Sequence, residues 1–488
     1  MKRYSTIAAA AVLLAAATSC DVLERVERGG GGGRSTTRTE ARAAEIDAAS
    51  LRRHLVALQR IADAHGGTRA TGTPGYEASV RYVAESLRGA GYQPRVHRFT
   101  ATLFRELAPP ELVPLDPARR ALVGDEEIVT MQYSPSGRVA GRLAAVDLRL
   151  PPGPPNSSTS GCDDGDFAGF PRGAVALLQR GGCFLFEKVR NAETAGAAAA
   201  VVMNEGQRGR RGAIGGTLVE TEVRIPVLSI SSALGESLAR ASERGGLRVR
   251  VATETEIAER SAANVIADLG GRDEGLVLVG AHLDSVSNGP GINDNGSGVA
   301  AALETARILR ARATAPAHGV RFAFWAAEEL GLVGSDAYAA DLASADRAQI
   351  VAVVNLDMLG SRNAVPFVYD GDGSGGGIRG PGDSAALERL LREGLAEEGV
   401  TAAETPLEPN SDHAPFLREG VAVGGLFSGA DGVKTAAEAT RHGGESGEPY
   451  DRCYHRSCDS LRNVDVDGLL TFARAAATAV ARLASAGA

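Results

Sequence analysis

Between residues 276 and 357 the apolar positions gather into three short runs: LVLV at 276–279, VRFAFW ending at Trp325, and IVAVVNL ending at Leu356. Runs of this length are strand-like, and an alanine-rich stretch with helical spacing follows the first. Each run leads into groups able to hold a metal: His282 and Asp284 after the first, Glu328 and Glu329 after the second, Asp357 after the third. A Gly/Asn/Asp turn then places Asp294 at the start of the helical stretch. In open α/β sheets, ligands bind beyond the carboxyl ends of the strands, so the three runs predict one crevice.

The periodicity elsewhere predicts a frame for that crevice. Residues 46–67 read as a helix and 71–75 as a Gly/Pro turn. A second amphipathic helix puts Val80, Val83, Ala84 and Leu87 on one face before Gly89 and Gly91, and a strand-like PRVHRFT follows. From about 107 to 255 the texture shifts to short β-like runs and Pro-rich turns. There GAVALLQRGGCFLFEKVRNAETAGAAAAVVMNE reads as strand, turn, helix, strand, and RIPVLSISS as a further strand. ANVIADL resumes the α/β pattern, and residues 385–400 and 466–487 predict two strongly amphipathic helices. The expected architecture is an α/β domain in two segments, 46–104 and 256–488, with 105–255 as a small inserted domain. The glycine-rich stretch 370–382 is expected to be a mobile surface loop; no GK[ST] pattern accompanies it to cradle a phosphate.

The chain of 488 residues has room for two or three domains, and its net charge of −8 argues against nucleic acid as a partner. Arg208, Arg210 and Arg211 form a tight basic cluster that reads as a solvated loop. The first residues combine a basic start, an apolar run too short to span a bilayer, and small residues before a cysteine. This predicts a signal peptide over 1–19; Ala17, Thr18, Ser19 and Cys20 resemble a bacterial lipobox, implying export and a lipid anchor at Cys20. Residues 20–45, with the glycine run 29–33, read as a flexible tether. In an oxidising compartment the remaining cysteines, Cys162, Cys183, Cys453 and Cys458, would pair; three connectivities exist and proximity favours the two local ones. A rival reading, Cys453, His455 and Cys458 on a structural zinc, lacks a fourth ligand.

Taken singly, the candidate groups have plain readings: His282 a satisfied core histidine, Asp294 a turn residue, Asp357 a strand-end cap, Tyr454 a loop-packing aromatic. The adjacent Glu328 and Glu329 are harder to place so, because they would repel unless a cation or proton sat between them. They point to one ligand and one base. Asp284 could accept the second N–H of the His282 imidazole and fix its tautomer. Together with His455, held between Cys453 and Cys458, the set makes a two-metal site, and imidazole with carboxylates suits zinc. Two zinc ions about 3.5–4 Å apart can hold a bridging hydroxide while a free carboxylate carries the proton to the leaving amine.

GAHLDSVSNGPGINDNGSGVAAALETA, VRFAFWAAEELGLVGS, VNLDMLGS, SDHAPF, VGGLFSGA and CYHRSCDSLRNV resemble the co-catalytic di-zinc aminopeptidases of metallopeptidase clan MH, family 28, especially the secreted bacterial leucyl-aminopeptidase branch. GCDDGDFAGFP, LLQRGGCFLFEKVRNAETAGAAAAVVMN and IPVLSIS resemble the protease-associated (PA) domain, read here as a lid or recognition module whose Cys162 and Cys183 pin two loops. The resemblance implies a mixed, mostly parallel sheet flanked by helices, the zinc-exopeptidase or phosphorylase/hydrolase-like fold, with a small β-rich α/β insertion. It implies two zinc ions held by His282, Asp294, Glu329, Asp357 and His455, with Asp294 bridging, and peptides as substrates. Glu328 would be the general base, Asp284 the group orienting His282, and Tyr454 the donor to the oxyanion. Gly425, Leu426 and Phe427 match the stretch lining a hydrophobic side-chain pocket, whereas Asn410 stands where that branch often has Arg. A carboxypeptidase or dipeptidase, a one-zinc glutaminyl cyclase and a non-catalytic binding module are the alternatives; the complete ligand set speaks against the last.

Overall fold

The computed structural model describes residues 46–486 apart from 116–126, 219–222, 244–245, 274 and 313. The expected signal peptide, the tether and Cys20 lie outside the described residues. Among the described residues, no helix is long and apolar enough to cross a membrane.

The strands in chain order are β1 (Arg95–Pro114), β2 (Ile128–Thr130), β3 (Gly137–Ala145), β4 (Val175–Gln179), β5 (Ala199–Met203), β6 (Val227–Ile230), β7 (Arg248–Leu269), β8 (Leu276–His282), β9 (Gly319–Trp325), β10 (Ile350–Leu356), β11 (Phe367–Asp370), β12 (Ala403–Pro406) and β13 (Val423–Phe427). They run in the order β12-β11-β13-β10-β8-β9-β7-β3-β4-β5-β6-β2, with β1 alongside β7. At the centre, β13, β10, β8 and β9 are mutually parallel. Successive residues of β8 alternate between the two faces, Val277 and Val279 entering one core and Leu278 the other. Both faces are buried, which is why the strand is a continuous apolar run.

Helices Ala48–Ala64, Gly296–Arg310, Ser384–Glu397 and Val466–Ser485 pack together in one layer. The first starts at Asp47, whose carboxylate accepts from the Ser50 N–H at 2.6 Å, and it buries Leu51, Leu55, Leu58 and Ala62 on one face. Helix Gly296–Arg310 lies so close to the sheet that a Cβ on Gly298 would sit 2.1 Å from the Leu356 carbonyl oxygen, so only glycine fits there. Helices Val333–Asp341 and Ala414–Arg418 help to cover the opposite face, where Trp325, Tyr338 and Phe416 cluster.

Antiparallel β1 and β7 join the two sheets. One end of the pair, Arg95 opposite Ile266, belongs to the large sheet; the other, Pro114 opposite Val249, reaches the inserted one. There β3 takes up β7, and β4, β5 and β6 follow in parallel. The positions expected to bound the insertion, 104/105 and 255/256, thus fall inside continuous strands. The basic cluster lies in a loop with Arg208 and Arg211 exposed, and two of its arginines are paired. Arg208 pairs with Glu448 at 2.6 Å and Arg210 with the buried Glu205 at 2.8 Å. In the stretch 370–382 the Asp370 carboxylate accepts N–H bonds from Gly373, Ser374 and Gly375, so this expected mobile loop forms a hydrogen-bonded turn.

Candidate metal centre

Parallel neighbours β8, β9 and β10 end on one edge and deliver their groups together. His282 closes β8, Glu328 and Glu329 follow β9, and Asp357 follows β10. Asp294 arrives from the loop leading into helix Gly296–Arg310, and His455 from the loop closed by the Cys453–Cys458 disulfide. Ala327, Met358 and His455 all have positive φ, near 50–57°; such strained residues persist only where their surroundings enforce them, and these turn the chain sharply at the site.

Asp294 is the hub. Its Oδ1 lies 3.2 Å from His282 Nε2 and its Oδ2 3.3 Å from His455 Nε2. Asp357 Oδ1 is 3.3 Å from His282 Nε2, and Glu329 Oε2 is 3.0 Å from His455 Nε2. Ligands at about 2.0–2.2 Å from a tetrahedral zinc are about 3.3–3.6 Å from one another, so each histidine stands from its two carboxylates at roughly the spacing of donors around one ion. Asp357 Oδ1, Asp294 Oδ2 and Glu329 Oε1 are buried without a hydrogen-bond donor, a costly arrangement that a cation would relieve. Glu328 stands farther off, 4.0 Å from His282 Nε2.

The electrostatics separate the carboxylates. Burial, assisted by Asp412, Asp357 and Glu329 against the pull of His282, holds Glu328 well above the usual carboxylate range. Burial would raise Asp294, but the adjacent imidazoles of His282 and His455 outweigh it and hold the carboxylate well below that range. Burial alone would lower His282 and His455, but the surrounding carboxylates raise both. Asp284 faces His282 Nδ1 at 3.6 Å and accepts the Glu328 backbone N–H at 3.2 Å, touching both the histidine and the carboxylate-bearing turn.

His282, Asp294, Glu328, Asp357, Asn410, Tyr454 and His455 line one cleft of about 520 Å³, while Glu329 supports His455 from behind it. The Tyr454 ring stacks on His455, centroids 3.8 Å apart; burial, then Asp294 and Glu329, push its hydroxyl pKa well up, so it stays a donor. Of the three residues expected to line the pocket, only Phe427 does. Leu426 points into the core on the opposite face of β13, as strand alternation requires, and Gly425 is covered by the Tyr369 ring. Met358, Phe367 and Tyr369 complete the apolar wall. The bonds Cys162–Cys183 and Cys453–Cys458 are the two local pairs, which removes the structural-zinc alternative for Cys453 and Cys458.

Several supporting groups were given no role from sequence. The buried Arg69 guanidinium donates to the carbonyls of Leu283, Pro290 and Gly291, fixing the loop between His282 and Asp294; burial lowers its pKa to about 10. Ser411 Oγ donates to Asp357 Oδ2 at 2.7 Å, and Asp459 accepts the N–H groups of Asn293 and Asp294. Ser411 and Asp459 lie inside the SDHAPF and CYHRSCDSL motifs, where a signal existed; Arg69 sits in an ordinary turn sequence and had none.

Comparison with known proteins identifies the family. The model of Peptidase family M28 matches residues 264–480 and that of the PA domain residues 139–238. An aminopeptidase of Pseudomonas aeruginosa is 41% identical over 427 residues, 87% of this chain and 78% of the relative. A probable lipoprotein aminopeptidase, LpqL, of Mycobacterium tuberculosis is 38% identical over 427 residues, 84% of this chain and 80% of the relative. The solved aminopeptidase from Aneurinibacillus sp. strain AM-1 superposes with a TM-score of 0.66 at 25% identity, covering 90% of this chain and 94% of that one. The chain belongs to peptidase family M28, among its aminopeptidases that carry a PA domain.

Proposed function

We propose that this protein is an exported zinc aminopeptidase, lipid-anchored at Cys20, that hydrolyses the N-terminal residue of peptides and favours a large apolar residue such as leucine. The observation that carries the reading is the placement of Asp294, with one carboxylate oxygen beside each of two histidines and a further carboxylate beside each histidine. One ion would be held by His282, Asp294 and Asp357, the other by Asp294, Glu329 and His455. Bound zinc supplies Lewis acidity toward the scissile carbonyl and lowers the pKa of water toward neutrality.

The chain's own groups do the rest. Glu328 lies close to the ligands without the short spacing they share, and burial raises its proton affinity; it accepts a proton from the attacking water and returns it to the leaving amine. The Tyr454 hydroxyl donates to the oxyanion, a contact worth about 2.7–4 kcal/mol. Asp284 orients His282. Phe427, Phe367, Tyr369 and Met358 give the first residue's side chain an apolar wall, which supports the leucine-like preference. The PA domain, within 105–255, serves as lid or recognition module over the catalytic segments 46–104 and 256–488. The test is the zinc content of the soluble form lacking residues before Asp21, together with cleavage of a leucyl-anilide and its N-acetylated twin. Two zinc ions per chain and cleavage of the free-amine compound alone are expected; one zinc or none, with neither compound cleaved, overturns the reading.

A further inference from the structure

The second histidine is approached from outside the catalytic segments. Residues 212–216, GAIGG, belong to the inserted domain and run between its sheet and the loop carrying His455. On one side this segment is tied down by its backbone: the Gly212 carbonyl accepts from Asn204 Nδ2 at 2.8 Å, the Ile214 N–H donates to Ser229 Oγ at 3.0 Å, and the Gly216 carbonyl accepts from the Gln132 N–H at 2.9 Å. On the other side it has no side-chain bulk to spare. A Cβ on Gly215 would lie 3.2 Å from His455 Nδ1, and one on Gly212 would lie 2.4 Å from an Arg456 guanidinium nitrogen. Neither glycine has a φ in the left-handed region, so what bars a side chain at these positions is the neighbouring residue and not the backbone. Beyond the segment, the two domains are pinned by Arg208 to Glu448 at 2.6 Å and Arg180 to Asp431 at 3.7 Å.

His455 needs such a contact. It projects from a short exposed loop, its backbone is left-handed, and its ring has Tyr454 stacked on one face. The disulfide fixes where the loop starts and ends but leaves the ring's rotation about its own bonds open. The Nδ1 edge faces Gly215 across a small cavity of about 60 Å³ lined also by Gln132 and Ala213, so the inserted domain bounds the space into which the ring could swing away from Asp294 and Glu329.

We propose that Gly215 is a positioning residue for His455, and that the inserted domain thereby sets the affinity of the second metal position and not of the first. The inference rests on the two-zinc reading above. Replacing a group that orients a metal-bound histidine lowers metal affinity by about 10- to 100-fold. Gly215→Val should therefore weaken the second equivalent of zinc by that factor, measured by titration against a chelator, and leave the first unchanged. Gly215→Ala, whose methyl group asks the ring to move by only a few tenths of an ångström, should show a smaller loss of the same kind. Gly165→Ala is the control: it lies in the same domain, and a Cβ there meets nothing within 4 Å. It should bind zinc as the natural protein does. Cobalt substitution gives a second readout, since the visible spectrum of the second ion alone should change in the Gly215 variants. If the natural protein binds a single ion, the two-zinc reading fails. If it binds two and both Gly215 variants match it, or lose both ions alike, the positioning role fails. Should Gly215→Val not fold, Gly215→Ala decides by the same criteria.

Discussion

Glu328 and Glu329 are adjacent in sequence yet differ in surroundings, and that difference supports the separate roles proposed for them. Glu329 Oε2 approaches His455 Nε2 at 3.0 Å, whereas Glu328 stands 4.0 Å from His282 Nε2 and is held well above the usual carboxylate range, chiefly by burial. On the proposed two-zinc reading, Glu328→Gln is expected to keep its metal and lose about 10²–10⁴-fold in turnover, the usual worth of a positioned acid–base group. Glu329→Gln should lose zinc as well. Metal analysis beside turnover of a leucyl-anilide checks both, and full activity of Glu328→Gln would remove that residue from the chemistry. The pair itself was legible in the sequence because like charges side by side are costly unless something answers them. Arg69 was not legible: its importance lies in three carbonyl partners more than 210 residues away, which no local pattern encodes.

At the scale of elements, the candidate ligand and catalytic groups come from strand ends and from one clamped loop, and the two behave differently. Strand ends are fixed by the sheet. The loop 453–458 is fixed by its disulfide, by Asp451 accepting the Cys453 N–H at 2.7 Å, and by Asp459, which ties it to Asn293 and Asp294. With a sequence separation of only 5, the disulfide closes a short loop, so its loss should cost less stability than the roughly 3 kcal/mol associated with a 15-residue loop. Its effect on the position of Tyr454 and His455 is larger. Replacing Cys453 and Cys458 together by serine should lower kcat/KM by about 10²-fold, the penalty of misplacing reacting groups by about an ångström, with little change in the denaturation midpoint. Equal losses in both measurements, or neither, would contradict this. Strand β13 shows the limit of motif transfer. Of the stretch Gly425, Leu426 and Phe427, strand alternation sends Leu426 to the far face, and the cleft wall is built by Phe427 with Phe367 and Tyr369 from β11.

For the whole molecule, acid sensitivity has a source in the core besides the metal ligands. His413 is fully buried, and burial lowers its pKa from 6.5 to about 4. The unfolded chain binds that proton below about 6.5 and the folded one only near 4, so the folded state loses stability as pH falls through this window. The gap corresponds to about 3 kcal/mol in full. His413→Gln should flatten the fall in denaturation midpoint between pH 7 and pH 4.5 relative to the natural protein in the same zinc-free buffer; identical slopes would exclude His413 as the cause. By itself the sequence determined the elements, the order of the ligand segments and the residue types that suit zinc, because apolar periodicity and strand-end chemistry are local properties of the chain. Tertiary structure alone decided that β1 and β7 run unbroken from one sheet into the other and which side chains of β13 face the cleft. It also decided that Arg69, Ser411 and Asp459 brace the candidate ligands and that the inserted domain lies against the loop of His455. Each of these depends on distance in space between residues far apart along the chain, and the packing that brings them together is fixed only when the whole sheet has formed.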